Sequence, residues 1–299
     1  MVKHKRILVT GGAGFIGSHL VEALHAAGHL VVVVDNLSHG DKKRIPVGIR
    51  LVAKNIIDTS LLSVFKTFKP DTVYHLAAQV DVARAQADPV YDAKTNILGT
   101  LNILECCKKT GVKRIIYADS VAGFGEPRKL PLTADHARAP ISFYGISKHT
   151  MEHYLQAYSL PFVGLVLANV YGPRQDPLGE GGVVAIFAHR MKKELPVTIN
   201  GDGEQTRDFI YVVDVVAAFI AAMEWGENQF LMVGTGREIT INELFTVMKL
   251  MTNYGQKPIY GPPRLEDVQK SVFAIEATKK ILSWEPKFNL IQGVQETVA

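Results

Sequence analysis

Tyr144 and Lys148 stand four residues apart in the run Tyr144-Gly-Ile-Ser-Lys148, and on a helix that spacing puts both side chains on one face. An ammonium beside a phenol favours the phenolate, so Tyr144 becomes a base usable near neutral pH. The same ammonium can reach a nicotinamide ribose. Of the ten tyrosines only Tyr144 has a lysine four positions on. Taken alone, the pair reads equally as a solvated Tyr/Lys face. Ser120 shifts the balance, because it closes the apolar run Arg114-Ile-Ile-Tyr-Ala-Asp119. A hydroxyl at a strand end there can share a substrate oxygen with Tyr144.

A second constellation lies near the N-terminus, in Arg6-Ile-Leu-Val-Thr10-Gly-Gly-Ala-Gly-Phe-Ile-Gly17. The glycine spacing is GxxGxxG. Gly11 permits a tight turn off a strand, Gly14 lets a pyrophosphate approach the backbone, and Gly17 lets the next helix pack close. The free N–H groups and positive dipole end at that helix N-terminus favour an anion. An ordinary glycine-rich turn is the plainer reading, but three features around it argue otherwise. An apolar strand precedes it, a helical pattern (Phe15, Ile16, Leu20, Val21, Leu24) follows, and Val31–Val34 then lead into Asp35. An acid roughly 20 residues past the glycines takes both ribose hydroxyls of NAD and repels an NADP phosphate.

These groups need a scaffold that brings strand ends together. Strands are expected at 5–10, 31–35, 50–53, 72–76, 114–118 and 161–167, with helices at 15–27, 60–68, 89–110 and 143–158. That alternation implies an α/β fold: a Rossmann-type, doubly wound parallel sheet with helices on both faces. Ligands sit at the carboxyl ends of such strands, where Asp35, Ala77, Ser120 and Asn169 fall. Beyond about residue 172 glycine and proline become frequent, and helices at 183–194, 241–252 and 275–282 alternate with short strands. The expected division is an NAD-binding domain over 1–172 and a smaller C-terminal α+β lobe over 173–299.

The chain has 299 residues, is 47% hydrophobic and 21% charged, and carries a net charge of +4. That is a globular composition, with no large basic surface for nucleic acid. Lys3–Arg6 reads as a solvated terminus. The two cysteines, Cys106 and Cys107, are adjacent, which makes a disulfide between them implausible and points to reduced thiols and a cytoplasmic setting. No leader peptide or membrane-spanning run is expected, and no metal site.

GGAGFIGSHL, His75-Leu-Ala-Ala-Gln79, Ser120, Tyr144-x-x-x-Lys148 and Asn169-Val-Tyr-Gly-Pro-Arg174 together resemble the extended short-chain dehydrogenase/reductases. Within them the chain is most similar to UDP-glucose (UDP-galactose) 4-epimerases, through Gly201–Tyr211, Gly234-Thr-Gly-Arg237 and Trp284-Glu-Pro286 as well. The resemblance covers essentially the whole chain. It implies NAD held through the cycle, a UDP-sugar in the C-terminal lobe and a homodimer built on helices 89–110 and 143–158. Ile97, Leu101 and Leu104 would sit in that interface or else in the core. It implies that Tyr144 removes the sugar 4-OH proton, that Lys148 lowers the tyrosine pKa, and that Ser120 bonds the reacting oxygen. Cofactor contacts would come from Gly11, Gly14, Phe15, Ile16, Gly17, Asp35, Asn36, Asn55, Ile56, Leu76, Ala77, Ala78 and Gln79, besides Tyr144 and Lys148. Asn169, Arg207 and Arg264 would hold the diphosphate, and Asp267 the uridine ribose. Val82, Val121, Ala122, Val183, Asn200 and Ser271, with Ser120, would complete the sugar-nucleotide pocket. For the two arginines the blander role is surface salt bridging.

The departures from the family pattern are specific. Asp119 stands in a run usually of small and serine residues, and Gly123-Phe124-Gly125 replaces a usual Val-Tyr-Gly. Asn55 replaces an acid near the adenine, and Asn200 an aromatic near uracil. Val166 replaces an arginine, the segment 154–162 is short, and Ala299 falls where a terminal helix normally continues. Related dehydratases and decarboxylases carry an acid just after the serine, whereas here Val121 and Ala122 follow. Strand alternation turns Asp119 away from Ser120. The expected reaction is therefore reversible oxidation at C4 with return to the other face. Ser271 stands where epimerases that exclude N-acetyl sugars have a large aromatic, so room at C2 is expected. An epimerase of another sugar nucleotide, such as a uronate, is the nearest alternative. A non-catalytic dinucleotide sensor is the other, though such proteins generally lose the tyrosine or lysine.

Overall fold

A computed structural model describes residues 4–177, 182–263 and 268–299. In chain order the first half runs β1 (Arg6–Thr10), α1 (Phe15–Ala26), β2 (Leu30–Asp35), β3 (Arg50–Ala53), α2 (Leu61–Phe68), β4 (Thr72–His75), α3 (Val82–Ala87), α4 (Pro89–Ala93), α5 (Thr100–Thr110), β5 (Arg114–Ser120), α6 (Phe143–Ala157) and β6 (Phe162–Leu167). The second half continues with β7 (Asn169–Tyr171), α7 (Val183–Lys192), β8 (Thr198–Asn200), β9 (Thr206–Arg207), β10 (Phe209–Tyr211), α8 (Val212–Ala221) and β11 (Gln229–Val233). It closes with β12 (Ile239–Thr240), α9 (Ile241–Thr252), β13 (Ile259–Gly261), α10 (Glu276–Leu282) and α11 (Leu290–Val298).

Seven of these strands form one parallel sheet in the order β11-β6-β5-β4-β1-β2-β3. The strand sequences are near-continuous apolar runs, as a sheet covered on both faces requires. Alternation then sorts the residues. Ile7, Val9, Val33, Tyr74 and Ile116 enter one core; Leu8, Val32, Val34, Val73, Ile115 and Tyr117 enter the other. The chain direction of strand addition reverses between β1 and β4, which opens a crevice beyond their carboxyl ends.

The α/β class and most element positions agree with expectation, and the differences are informative. Residues 89–110 are not one regular helix: a π-type segment, Lys94–Gly99, joins α4 to α5. Beyond residue 173, the chain returns to the sheet. Here β11 extends the edge beside β6 in parallel register, and α8 packs against α1. The remaining small strands pair locally, β7 with β10, β8 with β13 and β9 with β12. Cys106 and Cys107 are free and buried, and burial pushes both thiols up.

Candidate active site

A cleft of about 430 Å³ opens at the carboxyl ends of β1, β2, β4, β5 and β6. The glycine turn forms its floor. Gly11 has φ +71°, and a Cβ there would lie 2.7 Å from the Ala77 nitrogen. A Cβ on Gly17 would lie 2.1 Å from the Gly11 carbonyl oxygen. At Gly14 the added atom would meet only that same oxygen, at 3.2 Å. Two of the glycines therefore allow the chain to pack on itself, and the third leaves backbone open to a ligand. No acidic side chain stands in the first turn of α1, so its N–H groups remain available to an anion. This is a cradle into which a dinucleotide diphosphate fits.

Asp35 ends β2 with its carboxylate oriented from below. One oxygen accepts the Ala13 N–H at 2.9 Å and the other the Leu37 N–H at 2.8 Å. Gly11, Gly14, Phe15, Ile16, Gly17, Asp35, Asn36, Asn55, Ile56, Leu76, Ala77, Ala78 and Gln79 all line the cleft.

The loop after β4 is held by a buried relay. Thr10 Oγ1 accepts the Ala77 N–H at 3.2 Å and donates to His75 Nδ1 at 2.6 Å. His75 Nε2–H donates to Thr100 Oγ1 at 2.9 Å, and that hydroxyl donates to the Asn96 carbonyl at 2.6 Å. This direction of donation requires a neutral imidazole. Burial, and then the Lys148 charge, push its pKa from the ordinary 6.5 to about 3. Asn96 in turn brackets Gln79, accepting its N–H at 2.8 Å and donating to its carbonyl at 2.9 Å. The π-type segment thus turns Asn96 toward the cofactor loop. No sequence periodicity signals that turn.

The opposite wall of the cleft is the contact of β5 with α6. Ser142 caps α6 by accepting the Gly145 N–H at 3.1 Å. A Cβ on Gly145 would lie 2.3 Å from the Ala122 carbonyl oxygen, so only glycine lets the helix start press against the turn after Ser120. That brings Ser120, Tyr144 and Lys148 into the same cleft. Lys148 is buried, donates from Nζ to the Ala118 carbonyl at 2.6 Å, and lies 4.1 Å from the Tyr117 ring centre. Ser120 Oγ accepts the Ala122 N–H at 3.2 Å. Asp119 turns from Ser120's face as alternation requires, and the face it takes is covered by α6.

Val121 and Asn169 also line this cleft; Val82, Ala122, Val183, Asn200, Arg207 and Ser271 do not. Ala122 follows directly on the wall, and Val82 opens α3 beyond Gln79. The others belong to the second half of the chain. Arg207 lies in β9, beside Asp208, a fully buried carboxylate. Asp208 accepts from the Thr235 N–H and hydroxyl, the Gly236 N–H and the Phe273 N–H. The Thr206 N–H bonds the Gln269 carbonyl at 2.9 Å, so the segment carrying buried Ser271 runs beside β9. Burial pushes Asp208 up, against those hydrogen bonds. Arg264 and Asp267 lie outside the described residues. Sequence reasoning missed Asn96, Tyr91, Arg44 and Gln175; Arg44 lines the cleft from a single 3-10 turn, Lys42–Arg44, Gln175 from a loop and Tyr91 from α4, none with a spacing signal.

A dinucleotide cradle with serine, tyrosine and lysine at the end of the β5–α6 wall defines a Rossmann-fold enzyme of the nicotinamide-dependent kind. Residues 7–234 match the model of the NAD dependent epimerase/dehydratase family. The structure of UDP-glucose 4-epimerase with UDP-glucose from the hyperthermophilic eubacterium Thermotoga maritima is 46% identical, with a TM-score of 0.96 over 98% of this chain and 97% of that one. That of the Thermus thermophilus UDP-glucose 4-epimerase in complex with NAD is 40% identical, with a TM-score of 0.93 over 98% and 97%. UDP-N-acetylglucosamine 4-epimerase from Methanobrevibacter ruminantium, in complex with UDP-N-acetylmuramic acid, is 32% identical, with a TM-score of 0.94 over 99% and 98%. The chain belongs to the NAD-dependent epimerase/dehydratase family. It is an isomerase of the epimerase type, and NAD is its cofactor. Among the described residues no helix is long and apolar enough to cross a membrane.

Proposed function

We propose that the protein is a UDP-hexose 4-epimerase, interconverting UDP-glucose with UDP-galactose and also the corresponding N-acetylhexosamine pair. The observation that carries this reading is the convergence of Ser120, Tyr144 and Lys148 on the nucleotide cradle, followed by Val121 and Ala122, which cannot move protons. A dehydratase or decarboxylase needs a further acid at that point.

When bound in the cradle, NAD supplies reversible oxidation at a carbinol carbon. The protein's part is proton and charge management. Tyr144 takes the proton from the sugar 4-OH and later returns it. Lys148 stabilises the phenolate, and Ser120 donates a hydrogen bond to the reacting oxygen. A 4-keto sugar must turn over between the two half-reactions, so its diphosphate has to stay held while the ring moves. Asn169 and Arg207, together with Arg264, are assigned to the diphosphate, where forked guanidinium donors suit phosphate oxygens. Asp267 is assigned to the uridine ribose, and Val82, Val183 and Asn200 to the rest of the pocket. The sugar nucleotide would then lie against those parts of residues 173–299 that stand outside the seven-stranded sheet.

Room for an acetamido group at C2 is assigned to Ser271, whose side chain is small where a ring would close the pocket. Incubation with a panel of UDP-sugars and chromatography of the products tests the reading. Conversion within the glucose and galactose pair supports it, and no conversion of any UDP-hexose overturns it. Ser271→Tyr should keep the plain pair and lose the acetylated pair, read as kcat/KM for each.

We also infer a homodimer. Leu104 goes into the core, whereas Val90, Leu98, Phe143 and Ile146 remain exposed on α4, the π-type segment and α6. A two-fold axis would cover that apolar helical face. A monomer by light scattering at micromolar concentration would contradict it.

A further inference from the structure

Asp119 lines the cleft between Ala118 and Ser120, yet it is buried to 2% exposure. Neither of its carboxylate oxygens has a hydrogen-bond donor among the described residues. On β5, Tyr117 and Asp119 share one face, and α6 covers it. On α6, Lys148 and Glu152 are four residues apart and turn toward that face. Glu152 Oε1 is likewise a buried carboxylate oxygen with no hydrogen-bond donor in line among the described residues, and after burial it is the Glu152 charge that most raises Asp119. That Oε1 pairs by charge with Arg138 Nη2 at 3.0 Å, and Glu152 Oε2 lies 3.5 Å from His149 Nδ1. The Arg138 guanidinium stacks 3.7 Å from the Phe124 ring centre.

Two ionised carboxylates are acceptors only and cannot bond each other; one proton between them supplies the missing donor. Charge balance points the same way. The groups facing this pocket are Tyr117 and Asp119 from β5, and Tyr144, Lys148, His149 and Glu152 from α6. Arg138 faces it from the preceding loop and Asp92 from α4. Asp92 accepts from Gln79 and Asn96, both at 3.0 Å. His149 is pushed down by burial. With one shared proton, the cations Lys148 and Arg138 face two negative charges, one on Asp92 and one on the Asp119–Glu152 pair. Burial and then the Glu152 charge push the Asp119 carboxyl up, and burial pushes Glu152 up against Arg138. Burial also pushes Lys148 down, and Asp119 is the foremost group opposing that, ahead of Asp92 and Glu152.

We propose that Asp119 and Glu152 share one proton and together form the counter-charge that positions Lys148 and keeps it an ammonium beside Tyr144. Both are positioning residues, acting through Lys148, and the inference rests on Tyr144 as the base. Without the pair's single negative charge, a buried lysine surrenders its proton at lower pH and no longer supports the phenolate.

The test uses the NAD-loaded enzyme, with NAD content and circular dichroism confirming that each variant is folded. Infrared spectra at neutral pH should show the carbonyl stretch of a buried carboxylic acid in the wild type. That band should vanish in Asp119→Asn and in Glu152→Gln, because the new amide donates to the remaining carboxylate. In the single variants the alkaline limb of kcat should stay close to that of the wild type, since one negative charge survives. In the double variant that limb should move toward lower pH by about one to three units, the range for loss of an adjacent opposite charge, with KM unchanged. A missing band in the wild type, a band that persists in either single variant, or a double-variant limb that matches the wild type would overturn the pair. If no UDP-sugar is turned over, the epimerase reading fails while the infrared comparison still decides the shared proton. If the double variant does not fold, the same comparison decides.

Discussion

The two walls of the cleft work by different physics. The cradle side, from β1 to Asp35, acts through backbone: glycines that allow close approach, N–H groups at a helix start, and a carboxylate oriented by two amides. The β5–α6 side acts through side chains, with Tyr144 and Lys148 set among buried carboxylates and Arg138. The first should fail by steric change and be insensitive to pH. The second should fail by loss of a charge or a proton while binding survives.

The largest effect is expected on the side-chain wall. Tyr144→Phe removes only the hydroxyl proposed to transfer the proton, and general acid–base contributions are about 10²–10⁴-fold. Steady-state kinetics should show kcat falling by that order, with NAD content unchanged. Retention of about half the activity, against the ~10²-fold minimum for such a group, would show that another residue is the base. Next comes the sugar-nucleotide side. Arg207→Ala should raise KM strongly with NAD content intact, since a hydrogen bond to a charged group is worth roughly 1.5–3 kcal/mol. An unchanged KM removes Arg207 from the phosphate site.

On the cradle side, Gly17→Ala puts a methyl against the Gly11 carbonyl, at 2.1 Å before relaxation. Overpacking costs about 1–3 kcal/mol, so both Tm and retained NAD should fall, with the shape of the pH–rate profile preserved. A full complement of NAD would mean that the turn tolerates displacement.

At neutral pH the smallest effect belongs to the relay between the walls, which acts only in acid. The folded pKa of His75 lies at about 3, below its ordinary 6.5. Below about pH 6.5 the unfolded chain therefore takes up a proton that the folded chain refuses. Stability should fall with a one-proton slope, about 1.4 kcal/mol per pH unit, down to about pH 3, and be unaffected above neutrality. Denaturant titrations across that window should show a shallower slope for His75→Asn than for the wild type. Identical slopes would deny that His75 is the group concerned.

Much of this protein was fixed by local order in the chain. The α/β alternation, the glycine turn into α1 and the acid ending β2 follow from hydrophobic runs and backbone conformational limits, both of which act over a few residues. So does the Tyr144–Lys148 pair, because helical spacing alone puts those side chains together. What the tertiary structure decided involves partners far apart in sequence. Helix α8 and strand β11 carried no expectation, because their places depend on α1 and β6, nearly two hundred and some sixty residues away respectively. The π-type turn that brings Asn96 to Gln79 is a packing compromise inside an otherwise helical pattern. Asp119 read along the strand is simply a residue pointing away from Ser120. Only the packing of α6 over β5 sets Glu152 and Lys148 against it, and burial there raises the free energy of every unshared charge.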